Sequence, residues 1–570
     1  MYLALCRFLC YATYNNMAQK QKKPMRTSPA HSSLFHHLIR IISETNGISL
    51  QDTLELATGS AQIKRDRPTH KHFREFRELL SHFQQYSDDI ELLLRHPVGS
   101  ALHEFFRLFP LPYQDQHIHL TGSLTPDFIY ENLKPYLAGP DRQLYEKHIR
   151  AVFGKNSLPI RGAKDVEALI HTNDGETFFR FLEVLFLPKL ILTNRDAHRR
   201  AAYHIAKSVY ENYNVGKVHL KFTLSRASKM HAEQIPGTED LTPQDVILGL
   251  YEGFRDFKKE YPQFSFVLSP SFRKEPEFYD AERFKSKKDD FMNQVETILA
   301  ILAENPELQP YMNEVDTVGS EKELYRKAHF AQMQRGFRRL HRFGFSLKSH
   351  HGETWHTLNR GIQAVDNAMN IWHIDTLEHG ISLGVNPNFY FHTIFEKVLE
   401  WNKKGVKLNP EGNETKEIVA MDWEDQKRVL AKLLSGKPLS QTEIGHFRKV
   451  KFYTAVEVEH YQHDVLNRMI DKEVTLTSLP SSNKKLTGQF PDYKDHPFSW
   501  WEKKAVKQAI GTDNYVTLGT NFIQEMIILL LSDPKNLKIT KLLMVATGEQ
   551  RRPYLSKMLW DMRESLGIES

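Results

Sequence analysis

From about residue 113 onward the chain repeats one texture: a short run of strand character, then a longer amphipathic stretch of helical period. The runs lie near 115–120, 217–223, 264–269, 313–318, 344–349, 374–379, 474–478 and 515–519. Lys217-Val-His-Leu-Lys-Phe-Thr223 and Phe264-Ser-Phe-Val-Leu-Ser269 show the pattern in short form. Strands that alternate with helices pair in parallel, because each crossover lays a helix over the sheet. Eight such units are the number that closes on itself, so the expected fold is α/β, a (β/α)8 TIM barrel.

Texture also divides the chain. Residues 1–32 read as a mobile N-terminal segment, and 33–106 as a helical extension with Leu34, Leu38, Ile41 and Ile42 at helical spacing. The barrel is expected over 107–570, with a long helical insertion between strands 6 and 7 at about 386–456. Its middle, from Trp401 to about Arg448, is rich in Lys, Glu, Asn and Gln, with Asn409-Pro410-Glu411-Gly412-Asn413 as a turn cluster. No internal repeat or low-complexity tract interrupts this plan.

Composition narrows the partners. The chain has 76 Lys+Arg against 70 Asp+Glu, a formal charge of +6 over 570 residues, so neither nucleic acid nor a membrane surface is an expected partner. Both cysteines, Cys6 and Cys10, lie in the first ten residues, which leaves the body without a disulfide framework or a Cys-based zinc site. Any metal must therefore take His, Asp, Glu or Asn. The apolar opening MYLALCRFLCYATYNN is broken by Arg7 and fits a secretory signal poorly; Met17 competes with Met1 as the start of translation. With no later run near the ~18 to 20 apolar residues of a spanning helix, the expected location is cytoplasmic.

Four places carry candidate chemistry. In His117-Ile118-His119 the two imidazoles are two apart, which on a strand turns both to one face, here the lumen. Alone the pair means little, since 28 histidines make a chance His-x-His unsurprising. Ser349-His350-His351-Gly352-Glu353-Thr354 follows the apolar strand Phe343-Gly-Phe-Ser-Leu347, joining a metal-type imidazole to a carboxyl group able to move a proton. Glu378-His379-Gly380 ends another strand; a single such histidine is more often a satisfied core residue than a functional one. Leu518-Gly519-Thr520-Asn521-Phe522 ends the last run, offering an amide and an aromatic ring.

This ordered set resembles the adenosine deaminase family of metal-dependent amidohydrolases, over roughly Tyr113 to Ile527. Three further segments share the likeness. Glu314-Val-Asp-Thr-Val-Gly-Ser-Glu321 looks like the family's purine-contacting segment, Pro480-Ser-Ser-Asn-Lys-Lys-Leu-Thr-Gly488 like its penultimate strand and loop, and Glu176-Thr-Phe-Phe-Arg-Phe-Leu182 like its gating helix. The resemblance implies one zinc ion per chain on His117, His119, His350 and Asn521, with Glu353 giving a proton to the purine ring and His379 orienting the attacking water. Gly319 and Thr121 would contact the substrate. The implied reaction is hydrolytic deamination of adenosine or a related purine nucleoside to inosine and ammonia. A purine nucleoside is then the small-molecule partner, and the extension and insertion are candidate surfaces for a homo-oligomer.

The chain departs from the family's pattern in ways that keep a second reading open. The family closes its last strand with two adjacent aspartates, one on the metal and one on the substrate ring; Asn521 and Phe522 stand in that place here. An amide carries no charge and accepts no proton. Thr121 replaces the aspartate that holds a ribose hydroxyl. Glu378 or Asp513 would supply the missing charge only through a rearranged loop, and strand alternation tells against Glu378, because it neighbours His379. The alternative is a catalytically impaired relative that binds a purine ligand or a protein partner.

Overall fold

The computed structural model describes residues 29–44, 49, 52–53, 67–83, 85, 90–173, 178–224, 235–238, 240–487 and 492–567. Cys6, Cys10, Met17, Glu176, Thr177 and Gly488 lie outside them. Eight strands form one sheet in sequence order: β1 Tyr113–His119, β2 Val215–Thr223, β3 Ser265–Arg273, β4 Glu314–Val318, β5 Ser346–His351, β6 Thr376–His379, β7 Thr475–Ser478 and β8 Gln508–Ile510. Every neighbouring pair is parallel. The ring closes where Ile118 of β1 bridges Asp513, just past β8. This is the (β/α)8 barrel that the alternation of elements predicts.

The first seven strands overlap the expected runs, and the eighth does not. Residues 515–519 are a turn, and β8 lies before them. Leu518 of that run is buried against Phe181, Val184 and Leu486, and the turn itself is held by hydrogen bonds. The Val516 N–H donates to Gly122 O at 2.9 Å, the Thr172 N–H donates to Thr517 O at 2.8 Å, and the Tyr515 hydroxyl donates to Asp115 Oδ2 at 2.8 Å.

Alternation along the strands sorts the core. In β2, Val218, Leu220 and Phe222 are buried apolar residues, while the intervening His219 and Lys221 face the lumen and reach Glu314 and Asp316 of β4. Contacts between strands that are not neighbours cross the barrel's interior, so this lumen is filled with charged side chains rather than apolar layers.

The N-terminal helices Pro29–Glu44, Arg67–Phe83, Ile90–Arg95 and Pro97–Arg107 bury Leu34, Leu38, Phe73, Phe76 and Leu102 in the same apolar core as the barrel. Between β6 and β7 run the helices Pro387–Lys403, Asn413–Ala420, Lys427–Ser435 and the 31-residue Gln441–Asp471. The last is fastened to the end of β6 by Gln462, whose amide donates to Ser382 O at 2.8 Å and Val385 O at 2.9 Å. Among the described residues no helix is long and apolar enough to cross a membrane.

Candidate active site

The C-terminal ends of the strands deliver the candidate residues to one point. Pleating turns His117 and His119 of β1 toward the lumen, and their Nε2 atoms stand 3.0 Å apart. His350 comes from β5, its ring centre 4.6 Å from that of His117 and 5.4 Å from that of His119. One nitrogen from each ring lies within 4.8 Å of the other two.

The carboxylate beside them is Asp513, not Asn521. Asp513 Oδ1 is 3.4 Å from His119 Nε2 and 3.8 Å from His117 Nε2. Its N–H donates to His117 O at 2.8 Å and its carbonyl accepts the His119 N–H at 2.8 Å, so the acid is stitched to the strand that carries both histidines. A φ of 67° at Asp513 makes the necessary sharp turn, in the left-handed region that Asp and Asn tolerate better than most side chains. The Ser482 hydroxyl fixes the other carboxylate oxygen at 2.5 Å. Asn521 instead caps the helix Phe522–Ser532, where its Oδ1 accepts the Gln524 N–H at 2.9 Å. Phe522 is buried against Tyr113, ring centres 5.6 Å apart. The assignment of Asn521 to the metal is therefore corrected: with the last strand at Gln508–Ile510, residue 521 falls at the start of the following helix.

Glu353 and His379 complete the cluster. The loop that carries Glu353 is clamped by Glu321, whose carboxylate accepts the N–H groups of Gly352, Glu353 and Thr354 at 2.9, 2.6 and 2.5 Å. His379 Nδ1 lies 2.9 Å from Asn483 Oδ1, an acceptor, which places the ring proton on Nδ1. The opposite nitrogen, Nε2, stands 3.9 Å from Glu353 Oε2. His379, His117 and Asp513 also converge within 4.8 Å. Gly319 and Thr121 stand at the ends of β4 and β1, on the same rim. Gly319 has φ 107°, and a Cβ there would come 2.3 Å from Glu275 Oε2. Thr121, half-buried, lies in the turn after β1. Phe181 and Val184, in and next to the segment read as a gating helix, pack on Leu486 and Leu518 beside this rim.

The electrostatics single out a place for a cation. Burial drives His117, His119 and His350 well below the usual histidine range, so all three are neutral donors. Burial also pushes the Asp513 carboxyl up to about 7 and the Glu353 carboxyl up to about 7. A buried carboxylate among neutral imidazoles lacks the positive charge that would keep it ionised, and a divalent ion supplies it. Three imidazoles and one carboxylate are also a donor set that suits zinc. The residues fit the metal.

The sequence gives several residues of the cluster no role, and Glu378 only that of an acid which strand alternation tells against. Glu378 faces the lumen together with His379 because His379 has φ 68°, which breaks strand alternation at that step. Its Oε2 lies 2.9 Å from His117 Nδ1. Lys221, Asp316, Ser482, Asn483 and Glu321 support the cluster from below and beside it. The alternate charges in Val-His-Leu-Lys-Phe and Glu-Val-Asp-Thr were the available signal for the lumen residues.

No family model and no curated protein matches the chain. Among solved structures it is similar to an adenine deaminase from Arthrobacter aurescens, at 11% identity and TM-score 0.45 over 80% of this chain and 99% of that one. It is also similar to the N6-methyl-AMP deaminase of Arabidopsis thaliana, at 12% identity and TM-score 0.44 over 80% and 96%. A third likeness is to the Arabidopsis protein ADAL complexed with GMP, at 13% identity and TM-score 0.46 over 81% and 98%. At such values the reading of the site rests on its own residues.

Proposed function

We propose that this chain is a zinc-dependent aminohydrolase of the adenosine deaminase family, acting on adenosine or a related purine nucleoside. The observation that carries the reading is the convergence of His117, His119, His350 and Asp513 at the mouth of a parallel barrel, with Glu353 and His379 beside them. The order of these residues along the chain supports the family, and Asp513 favours turnover over an impaired relative by offering a metal-side acid, while Asn514 and Thr121 still depart from the family's pattern. Asp513-Asn514 takes the place of the family's adjacent pair, with the first acid kept and the second an amide.

His117, His119, His350 and Asp513 would hold the metal. The chemistry zinc supplies to such a donor set is acidification of water near neutral pH. Glu353, whose carboxyl burial pushes up to about 7, gives its proton to a ring nitrogen of the purine and makes the neighbouring carbon electrophilic. The His379 Nε2 lone pair takes a proton from the attacking water and returns it to the amino group, whose C–N bond then breaks to release ammonia, while Asn483 keeps the ring in that tautomer. Gly319 lets the backbone approach the purine edge, where any larger residue would meet Glu275.

The test is metal analysis of purified protein with a deamination screen over adenosine, deoxyadenosine, adenine and AMP. About one zinc per chain and release of ammonia from one of these purines are expected. Glu353→Gln should keep the metal and lose roughly 10²- to 10⁴-fold in turnover. Zinc-loaded protein that releases no ammonia from any of them would sink the reading.

A further inference from the structure

Beneath the histidines the lumen holds a cation whose contacts the proposed reaction leaves unused. Lys221 of β2 is fully buried and sits in register with His119 of β1. Its ammonium meets two carboxylates from different walls of the barrel: Asp316 Oδ2 of β4 at 2.6 Å and Glu378 Oε1 of β6 at 2.9 Å. Each acid goes on to one histidine. Asp316 Oδ2 lies 3.0 Å from His350 Nδ1, and Glu378 Oε2 lies 2.9 Å from His117 Nδ1. One ammonium thus ties together imidazoles that come from β1 and β5.

A neutral imidazole has a single N–H; at His350 the Asp316 carboxylate takes it at Nδ1, 3.2 Å from Oδ1, which leaves the lone pair on Nε2. At His117 the Glu378 charge stands 2.9 Å from Nδ1 without an aligned hydrogen bond and favours the proton on that nitrogen electrostatically. The Nε2 of His117 is the atom that faces His119 and Asp513. The two carboxylates are themselves buried anions, and Lys221 is the charge they share. Lys348 is the nearest rival. Its ammonium is 3.8 Å from Glu378 Oε1, beyond hydrogen-bond reach, and is engaged by Gln116 O at 2.9 Å and Glu314 Oε2 at 3.4 Å. Glu378 stands where the resembled family has a small residue, so the arrangement belongs to this chain's own side chains.

We infer that Lys221 is a positioning residue for the metal centre, acting through Glu378 and Asp316 to fix which nitrogens His117 and His350 present. It touches none of the reacting atoms. The inference rests on the metal-site reading above.

The test compares full-length wild type, Lys221→Met and Lys348→Met, each stripped of metal and reloaded with Zn²⁺ or Co²⁺. Affinity is read by chelator competition and ligand geometry by the visible spectrum of the cobalt form. Lys221→Met should bind zinc roughly 10- to 100-fold more weakly, with shifted cobalt bands. Lys348→Met, which also removes a buried lumen cation, should stay within a few-fold and keep the wild-type spectrum. If Lys221→Met does not fold, Glu378→Gln replaces it, with the same spectral shift and about a 10-fold loss expected. Wild-type affinity and spectrum in Lys221→Met, or in Glu378→Gln as its substitute, overturn the inference. So does an equal loss in Lys348→Met, because then any buried cation would serve. A wild-type protein that takes up neither ion removes the metal-site reading and this inference with it; normal uptake with an unchanged variant removes the inference alone.

Discussion

A single carboxylate decides what the histidine cluster can hold. Asp513 is the only acid placed beside both His117 and His119 among the described residues. Asp513→Ala should therefore lower zinc affinity by about 10²-fold or more and take turnover down with it, measured by chelator competition and ammonia release. Asn521→Ala should behave differently, because that amide only caps a helix. It should cost roughly 0.5–2 kcal/mol in denaturant unfolding and leave zinc content unchanged. The histidines and Glu353 were legible in sequence because each sits in a short motif whose spacing fixes its direction. Asp513 was readable only as a charge that a rearranged loop would bring, because β8 has only three residues and offers no period that places it. The local clue was Ile510-Gly511-Thr512-Asp513, which repeats the pattern of an apolar strand end followed by glycine.

At the scale of elements, the seam between β8 and β1 brings the acid to the imidazoles. Gly511 lets the chain pass close to β1, and a Cβ there would come 2.6 Å from His117 Cβ. Gly511→Ala should cost about 1–3 kcal/mol and weaken zinc binding in the same protein, seen together in thermal melts and metal titration. The insertion has its own anchor. Glu417, buried in the helix Asn413–Ala420, accepts the Tyr390 hydroxyl at 2.7 Å and the Leu358 N–H. Burial pushes its carboxyl up to about 7, against the pull of those hydrogen bonds. The folded state therefore holds this proton where the unfolded chain has lost it. Its contribution to stability is full below the unfolded value near 4.5 and falls as pH rises through about 7. Glu417→Gln should flatten the pH dependence of stability across that window; an unchanged slope in denaturant titrations would count against the buried acid. Seven strands were readable because each combines an apolar outer row with a bounded length. The run at 515–519 misled because an apolar turn and a buried strand share one composition.

For the whole molecule, the proposed metal site would link ion binding to folding through the barrel's closure, since its donors come from β1, β5 and the end of β8. An ion bound only by the native state should raise Tm with its concentration, by about 2.7 kcal/mol of stability at a hundredfold excess over Kd. Chelation should lower Tm and added zinc restore it; a Tm indifferent to both would show that these donors hold no ion. The sequence by itself determined the barrel and pointed to the imidazoles at its strand ends, because periodicity and short motifs are local properties of a chain. Only the tertiary structure decided which acid joins them and how the lumen is charged. Asp513 meets His119 at the closing seam although nearly the whole barrel sequence separates them, and Lys221 meets Glu378 across the barrel's interior. Such meetings depend on register and ring closure, which no spacing along the chain encodes.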